Sequence, residues 1–194
     1  MFAKRYTAFI DACVLVGVLK RNILLSLAEA EFFRIAWSNE VLQETEGAIG
    51  RLLRLRRHDL PDLVAAGQIY RMKQAFPEAC IYDYKLLVGI EIPDMGDLHV
   101  LGAAVKAQAS TIVTNNIKDF PAKTLDRLNI EVKTADEFIA DTVSLDIEQA
   151  VSVLRTMHLR LRHPSLSAAI LLEKMKAAQL KKTALILGDH AEVL

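Results

Sequence analysis

Short apolar runs alternate with helical patterns along the first three-quarters of the chain, and this alternation limits the fold more than any other feature. Three of the runs end abruptly in a carboxylate, an amide or a proline, and the segments between runs carry apolar residues at helical spacing. Strands are predicted at residues 7–10, 34–37, 86–90, 111–114 and 130–133. Strands that alternate with helices form parallel sheets with right-handed crossovers. The sequence therefore predicts an α/β domain in which helices flank a five-stranded parallel sheet.

The helical segments are bounded by ordinary start and stop signals. Ser38 is a predicted N-cap, Pro61 lies at the start of a further helix, and Pro77 ends that helix. Helices are predicted at residues 12–19, 23–33, 39–58, 61–76 and 98–108. The small residues of the last of these suit close packing on a sheet.

From about residue 135 onward the pattern becomes helical throughout. Asp146 is a predicted cap for a helix that begins at Ile147, and Gln149 is placed for a capping box. A further helix is predicted to begin at Pro164. The apolar segment 183–187 is consistent with either a short strand or a last helical turn.

The length of 194 residues is enough for one domain with an appendage, and 52% of the residues are hydrophobic, so a sizeable core can be buried. We expect a domain over residues 1–143 and a helical C-terminal extension over residues 144–194. The formal net charge is +0, which argues against nucleic-acid binding through a bulk positive field. Any nucleic-acid contact must come from local basic patches.

The cysteines and the apolar runs indicate where such a protein is found. Cys13 and Cys80 have neither metal-ligand spacing nor the pattern of a disulfide framework, and Cys13 is interpreted as a small core residue. Asp11 interrupts the only segment that resembles a secretory signal. No uninterrupted apolar run approaches the length of a membrane span. We therefore expect a cytoplasmic protein without a membrane partner.

Four acidic side chains fall where the predicted sheet would bring them together: Asp11, Glu44, Asp97 and Asp119. The crevice of an open α/β sheet lies outside the carboxyl ends of its strands, and clustered carboxylates repel one another unless a cation neutralises them. Oxygen ligands without Cys or His suit Mg²⁺ or Mn²⁺. Such ions drive phosphodiester hydrolysis by activating water and stabilising the charged phosphate.

Each acid also has a structural explanation. Asp11 can cap the helix that begins after it, and Asp94 with Asp97 resembles a capping pair at the positive end of a helix dipole. Asp119 lies among ordinary turn residues, and exposed helices often carry glutamates such as Glu44. The coincidence of all four favours a functional site.

Four segments together resemble PIN-domain nucleases, and specifically the toxins of VapBC-type toxin–antitoxin modules. The matching segments are residues 9–15, 37–44, 93–104 and 114–120, and the resemblance covers about the first three-quarters of the chain. The resemblance implies a Rossmann-like PIN domain with Mg²⁺- or Mn²⁺-dependent endoribonuclease activity. Such proteins are often homodimers and are inhibited by a partner antitoxin.

The resemblance also implies roles for individual residues. By motif, the acidic quartet is Asp11, Glu44, Asp97 and Asp119. Asn116 matches a polar residue near the metal, Thr114 matches a residue that orients the first aspartate, and Asp94 is a secondary candidate. Many relatives have Asp-x-Asn near the first acid, whereas Cys13 occupies that third position here, which would remove a polar group from the site.

The densest basic patch lies on the helix that leads away from Glu44, and its members are Arg51, Arg54, Arg56 and Arg57. This patch either holds RNA phosphates, meets an acidic segment of an antitoxin, or is only a solvated helix face. Three functions stay open: a toxin ribonuclease, which we favour, a housekeeping PIN nuclease of RNA maturation or decay, and a PIN-like binding module with little catalysis.

Overall fold

A computed structural model describes residues 6–86, 92–160 and 167–194. The strands are β1 (Thr7–Ile10), β2 (Arg34–Ser38), β3 (Cys80–Ile81), β4 (Thr111–Val113) and β5 (Glu131–Lys133). They form a five-stranded parallel sheet in the order β3-β2-β1-β4-β5. Because the strand order reverses between β1 and β4, a crevice opens at their carboxyl ends.

Helices cover both sides of the sheet and make up the C-terminal part. They are α1 (Ala12–Leu15), α2 (Val18–Glu29), α3 (Asn39–Leu55), α4 (Pro61–Ala75), α5 (Leu98–Lys106), α6 (Ala122–Asp126), α7 (Ala135–Leu145), α8 (Ile147–Arg160), α9 (Ala168–Ala177) and α10 (Lys181–Gly188). Short 3-10 helices occupy Met95–Asp97 and Ile117–Asp119. None of the helices in the described ranges combines the length and the apolar character needed to cross a membrane.

The core is centred on the middle strand of the sheet. Phe9 of β1 pairs in register with Ala36 of β2 and Ile112 of β4, and all three side chains are buried. Phe33, just before β2, packs edge-on against Phe138 of α7, with ring centroids 4.9 Å apart. The C-terminal helices are therefore joined to the sheet through the same hydrophobic core.

The predicted α/β architecture with a five-stranded parallel sheet is confirmed, but its third strand was missed. The structure has this strand at Cys80–Ile81, where it pairs with Trp37 and Ser38 of β2. A strand of two residues is too short to produce a recognisable apolar run. The strand predicted over residues 86–90 lies outside the described residues, except for Leu86, which belongs to no strand.

The two helices predicted after β1 have different boundaries from those expected. α1 ends at Leu15, and Gly17 is extended (φ −73°, ψ 112°) before α2 begins. α2 ends at Glu29, short of the predicted residue 33, because Glu31 adopts a left-handed conformation with φ 66°. Apolar periodicity ran through both breaks, so the pattern alone placed them wrongly.

The C-terminal part is helical, as expected. Asp146 accepts a hydrogen bond from the backbone N–H of Gln149 at 3.0 Å and so caps α8. The segment 183–187 is part of helix α10, which removes the strand alternative. The helix start predicted at Pro164 lies outside the described residues, and α9 is capped by Ser167.

Asp136 attaches the last helix to α7. Its carboxylate accepts backbone N–H groups of Lys182 at 2.8 Å and of Thr183 at 2.9 Å. These are unpaired N–H groups of the first turn of α10, where negative charge is favourable. The extension therefore packs on the helix that precedes it. The division of the chain between residues 143 and 144 stays a prediction.

Candidate active site

Asp11 lies at the crevice, directly after β1, and is only 6% exposed. It precedes α1 but its side chain makes no capping hydrogen bond, so the capping explanation is wrong for this residue. Its Oδ2 atom instead accepts hydrogen bonds from Thr114 Oγ1 at 2.7 Å and from Cys13 Sγ at 2.9 Å. The carboxylate is thus held by side chains from the two segments that directly follow β1 and β4, the strands that flank the crevice.

Cys13 is the site residue whose role the sequence interpretation missed. It does not belong to the apolar core alone, and it does not remove a polar contact from the site, because its thiol donates to Asp11. The same sulfur accepts the backbone N–H of Asn115 at 3.2 Å. Burial and the neighbouring Asp11 raise the pKa of Cys13 to about 11, so the donor is a protonated thiol at neutral pH. In the sequence, the position of Cys13 two residues after Asp11 is the feature that could have indicated this role.

The loop after β4 supports this arrangement. The backbone N–H of Asn116 donates to Thr114 Oγ1 at 3.0 Å, which leaves the hydroxyl proton of Thr114 for Asp11. Asn116 itself is exposed, and Asp119 lies half-buried at the end of the 3-10 helix that follows. Polar groups of the β4 loop therefore border the crevice.

The structure distinguishes the two aspartates of the Asp-x-x-Asp pair. Asp94 accepts the backbone N–H of Gly96 at 2.8 Å, so its carboxylate caps the short 3-10 helix. Asp97 makes no capping hydrogen bond at the start of α5. Asp97 is also half-buried, whereas Asp94 is exposed. The carboxylate of Asp97 is therefore the one available to the crevice.

Mutual repulsion among the acids is evident from Asp97. Burial, followed by the negative charges of Asp11, Asp94 and Asp119, raises the pKa of Asp97 to about 6, and His99 opposes the shift. Charges act on one another in this way only over short distances in water. Sequence-distant carboxylates are therefore gathered at the crevice, within electrostatic range of one another.

Glu44 approaches the same cluster from α3, where its side chain is half exposed. Burial raises the pKa of Glu44, and Asp11 and Glu40 raise it further, while His99 lowers it. The Oε1 atom of Glu44 lies 3.4 Å from His99 Nε2. Glu44 thus belongs to the acidic cluster and faces the imidazole of His99.

His99 is held by its other ring nitrogen. Nδ1 lies 2.7 Å from the carbonyl oxygen of Gly96, and because a carbonyl only accepts, Nδ1 carries the proton of this contact. Nε2 is buried without a hydrogen-bond partner in the described part of the chain. A proton on Nε2 would therefore make His99 a cation that faces Glu44.

The donor set fits a hard divalent cation, although the carboxylates do not converge on one point. Within residues 6–86, 92–160 and 167–194, no three side chains of His, Cys, Asp or Glu lie close enough to hold a metal ion. The acids supply carboxylate oxygens, which are the ligands that Mg²⁺ and Mn²⁺ prefer. Binding an ion there would require rotation of the half-exposed acids toward the fixed carboxylate of Asp11.

The predicted basic patch lies at the far end of α3 from the crevice. Arg51, Arg54, Arg56 and Arg57 are exposed. Arg54 forms an ion pair with Asp62 of α4, so part of the patch joins the two helices. Arg51 lies seven residues from Glu44, which is about 10 Å along a helix.

A groove lies elsewhere, between α2, α4 and α8. Its volume is about 670 Å³, and its cationic lining includes Arg21, Arg71 and Arg160. Arg21 is buried, and it donates to the carbonyl of Leu15 at 2.6 Å and to Gln68. Glu29 is the only acidic side chain among the described residues that line this groove, and it pairs with Arg160 at 3.4 Å. The groove therefore lacks the gathered carboxylates that a divalent cation needs, and the acidic crevice stays the candidate active site.

Comparisons with known proteins identify related domains in two parts of the chain. The profile of the PIN domain matches residues 7–118, and that of the VapC50 C-terminal domain matches residues 135–189. The chain is 34% identical over 79 residues to a Mycobacterium tuberculosis protein named "Putative ribonuclease VapC50", an alignment that spans 41% of this chain and 47% of that protein. No solved structure gave a significant match. Because the PIN domain profile covers more than half of the sequence, the resemblance drawn from its motifs is confirmed, and the chain belongs to the PIN domain family.

Proposed function

We propose that this chain is a metal-dependent endoribonuclease that hydrolyses RNA phosphodiester bonds at the acidic crevice. The observation that supports it most directly is the pKa of Asp97, raised to about 6 by burial and by the surrounding carboxylates. Such a cluster lowers the stability of the protein unless a cation compensates its charge. Membership of the PIN domain family and the ribonuclease name of the mycobacterial relative support the same reaction.

In this proposal Asp11, Asp97 and Asp119 hold Mg²⁺ or Mn²⁺, and Glu44 completes the acidic quartet. When bound, the ion would activate water and stabilise the negative charge that develops on the phosphate. Thr114 keeps Asp11 in place through its 2.7 Å hydrogen bond. Asp94 and Asn116 have supporting roles, Asp94 by shaping the turn before Asp97.

Glu44 is the proposed general base. Its pKa is raised by burial, which brings a carboxylate closer to the pH range where it can accept a proton from water. His99, 3.4 Å away, would stabilise the charged form of Glu44 when protonated. These two side chains can therefore hold and move one proton at the border of the metal site.

RNA binding is assigned to the basic patch on α3. Arg51, Arg54 and Arg57 would contact phosphates of a strand that extends from the crevice along the helix. Arg54 already pairs with Asp62, so Arg51 and Arg57 are the stronger candidates. If these arginines do not bind RNA, the patch is only a solvated helix face, which is one of the alternatives that the sequence left open.

The proposed biological role is that of a toxin in a toxin–antitoxin module, with a protein antitoxin as partner and a homodimer as the assembled form. The match of residues 135–189 to the VapC50 C-terminal domain supports this role. A housekeeping PIN nuclease would have the same acidic site but no antitoxin.

The reaction itself is tested by metal titration. We expect the purified protein to cleave single-stranded RNA in Mn²⁺ or Mg²⁺ and to lose this activity in excess chelator, because the carboxylates need the ion to activate water. Product formation on a gel with labelled RNA is the measurement, and restored activity after new Mn²⁺ is the control. Cleavage that continues in chelator would contradict the proposal. Absence of cleavage with either ion would favour the binding module.

The toxin role is tested by expression in cells. We expect induction of the chain to arrest growth, and co-expression of a small antitoxin encoded beside it to restore growth, since such an antitoxin blocks the same crevice. Colony counts after induction are the measurement, and the Asp97→Asn variant, which should not arrest growth, is the control. Cleavage in vitro without growth arrest would favour a housekeeping nuclease.

A further inference from the structure

The short segment after β1 fixes Asp11 by more than the threonine contact. Cys13 Sγ lies 2.9 Å from Asp11 Oδ2 and 3.4 Å from Thr114 Oγ1, and it accepts the backbone N–H of Asn115 at 3.2 Å. The side-chain amide of Asn115 also donates, through Nδ2, to the backbone carbonyl of Cys13 at 3.4 Å. Cys13 therefore joins the carboxyl end of β1 to the loop that follows β4.

The two side-chain donors to Asp11 reach the same oxygen. Thr114 and Cys13 both donate to Oδ2, and within the described residues no hydrogen bond to Oδ1 is found. A carboxylate fixed through one oxygen presents the other in a defined direction. Partners that fix a ligand in this way set its orientation and its basicity toward a metal ion.

We propose that Cys13 is a positioning residue for the metal site, and that its thiol holds Asp11 so that Oδ1 faces the cation. The inference rests on the proposed metal-dependent function. The sequence predicted that Cys13 removes a polar group from the site, whereas its thiol supplies a hydrogen-bond donor to Asp11. A side chain that only filled space at position 13 would need no hydrogen-bond donor. Variants that keep the volume but lose the donor therefore distinguish a positioning role from a space-filling role.

Mn²⁺ titration of the full chain by calorimetry tests this assignment. Cys13→Ala and Cys13→Val both remove the donor, and Val retains most of the volume. We expect both to weaken Mn²⁺ binding by about tenfold, the lower end of what loss of such a partner costs. Cys13→Ser, which retains a donor, should bind within about twofold of the unmodified protein.

Cys80→Ala is the matched control, because Cys80 is also partly buried but lies in edge strand β3. It should leave Mn²⁺ binding unchanged. In RNA cleavage, Cys13→Val should be slow at low Mn²⁺ and recover at high Mn²⁺, with the KM for RNA unaltered. A purely structural role would not produce recovery by added metal.

The possible results distinguish failure of the positioning role from failure of the proposed function. If Cys13→Val and Cys13→Ala bind Mn²⁺ as tightly as the unmodified protein, or if Cys13→Ser is as weak as they are, the positioning role is overturned while the nuclease proposal stands. If the unmodified protein neither binds Mn²⁺ nor cleaves RNA, the proposed function fails, and the positioning role fails with it.

Discussion

Replacing Asp97 with Asn is expected to lower the rate of metal-dependent RNA cleavage by roughly a thousandfold, the effect of removing a major electrostatic group from an active site. Asp97 is the half-buried acid whose carboxylate is not used as a helix cap. The amide has nearly the same shape but supplies no negative charge to a cation. Single-turnover cleavage of labelled RNA at saturating Mn²⁺ measures the effect.

The same substitution should stabilise the protein when no metal is present. The pKa of Asp97 is raised from 3.8 to about 6, so the folded chain binds this proton more tightly than the unfolded chain. The stability that this proton contributes to the unmodified protein is fully present below about pH 4 and is lost as the pH rises through about 6. In chelator, the unmodified protein should therefore unfold at a lower temperature at pH 8 than at pH 5, as far as this carboxyl contributes. In Asp97→Asn, the part of this decrease in unfolding temperature that the Asp97 carboxyl causes should be absent.

Asp94→Asn is the matched control for the cleavage measurement. Asp94 accepts the backbone N–H of Gly96, and an asparagine oxygen can accept the same hydrogen bond. We expect this variant to retain cleavage within about tenfold, the lower end of what loss of an outer partner costs, because the asparagine keeps the hydrogen bond that shapes the turn before Asp97. An equal loss in both variants, or full activity in Asp97→Asn, would contradict the assignment of Asp97 as the ligand.

The parts of the site that sequence predicted depend on strand ends. Asp11 follows a buried run directly, and Thr114 ends another, so a parallel sheet places them at one edge whatever the side-chain details. The structure joins these two residues by a hydrogen bond. The ends of these strands and the position of the acids relative to them are local signals, which explains why they could be predicted before the fold was known.

The parts that sequence did not predict depend on contacts between distant segments. The sulfur of Cys13 contacts Thr114, 101 residues away in the chain, and accepts the backbone N–H of Asn115 only because β1 and β4 lie side by side. His99 faces Glu44 only because α5 and α3 flank the same crevice. The edge strand Cys80–Ile81 exists through its pairing with β2 and has no periodicity of its own.

Replacing Gly102 with Ala is expected to destabilise the protein by about 2 kcal/mol, within the range for forcing extra atoms into a packed site. A Cβ atom at this position would lie 2.6 Å from the carbonyl oxygen of Lys85 and 3.2 Å from a ring carbon of Tyr84. A backbone carbonyl cannot swing aside as a side-chain end can. Urea unfolding at neutral pH measures the change.

Gly188 provides the matched control, because it is also helical but a Cβ there meets nothing within 4 Å. Gly188→Ala should be neutral or stabilising by up to about 1 kcal/mol, since alanine favours helices more than glycine does. If Gly102→Ala were as stable as Gly188→Ala, the close approach of α5 to residues 84–85 would be wrong.

Because α5 begins directly after Asp97, that approach also sets where this carboxylate lies relative to Asp11. A destabilised Gly102→Ala should therefore bind Mn²⁺ more weakly, whereas Gly188→Ala should not.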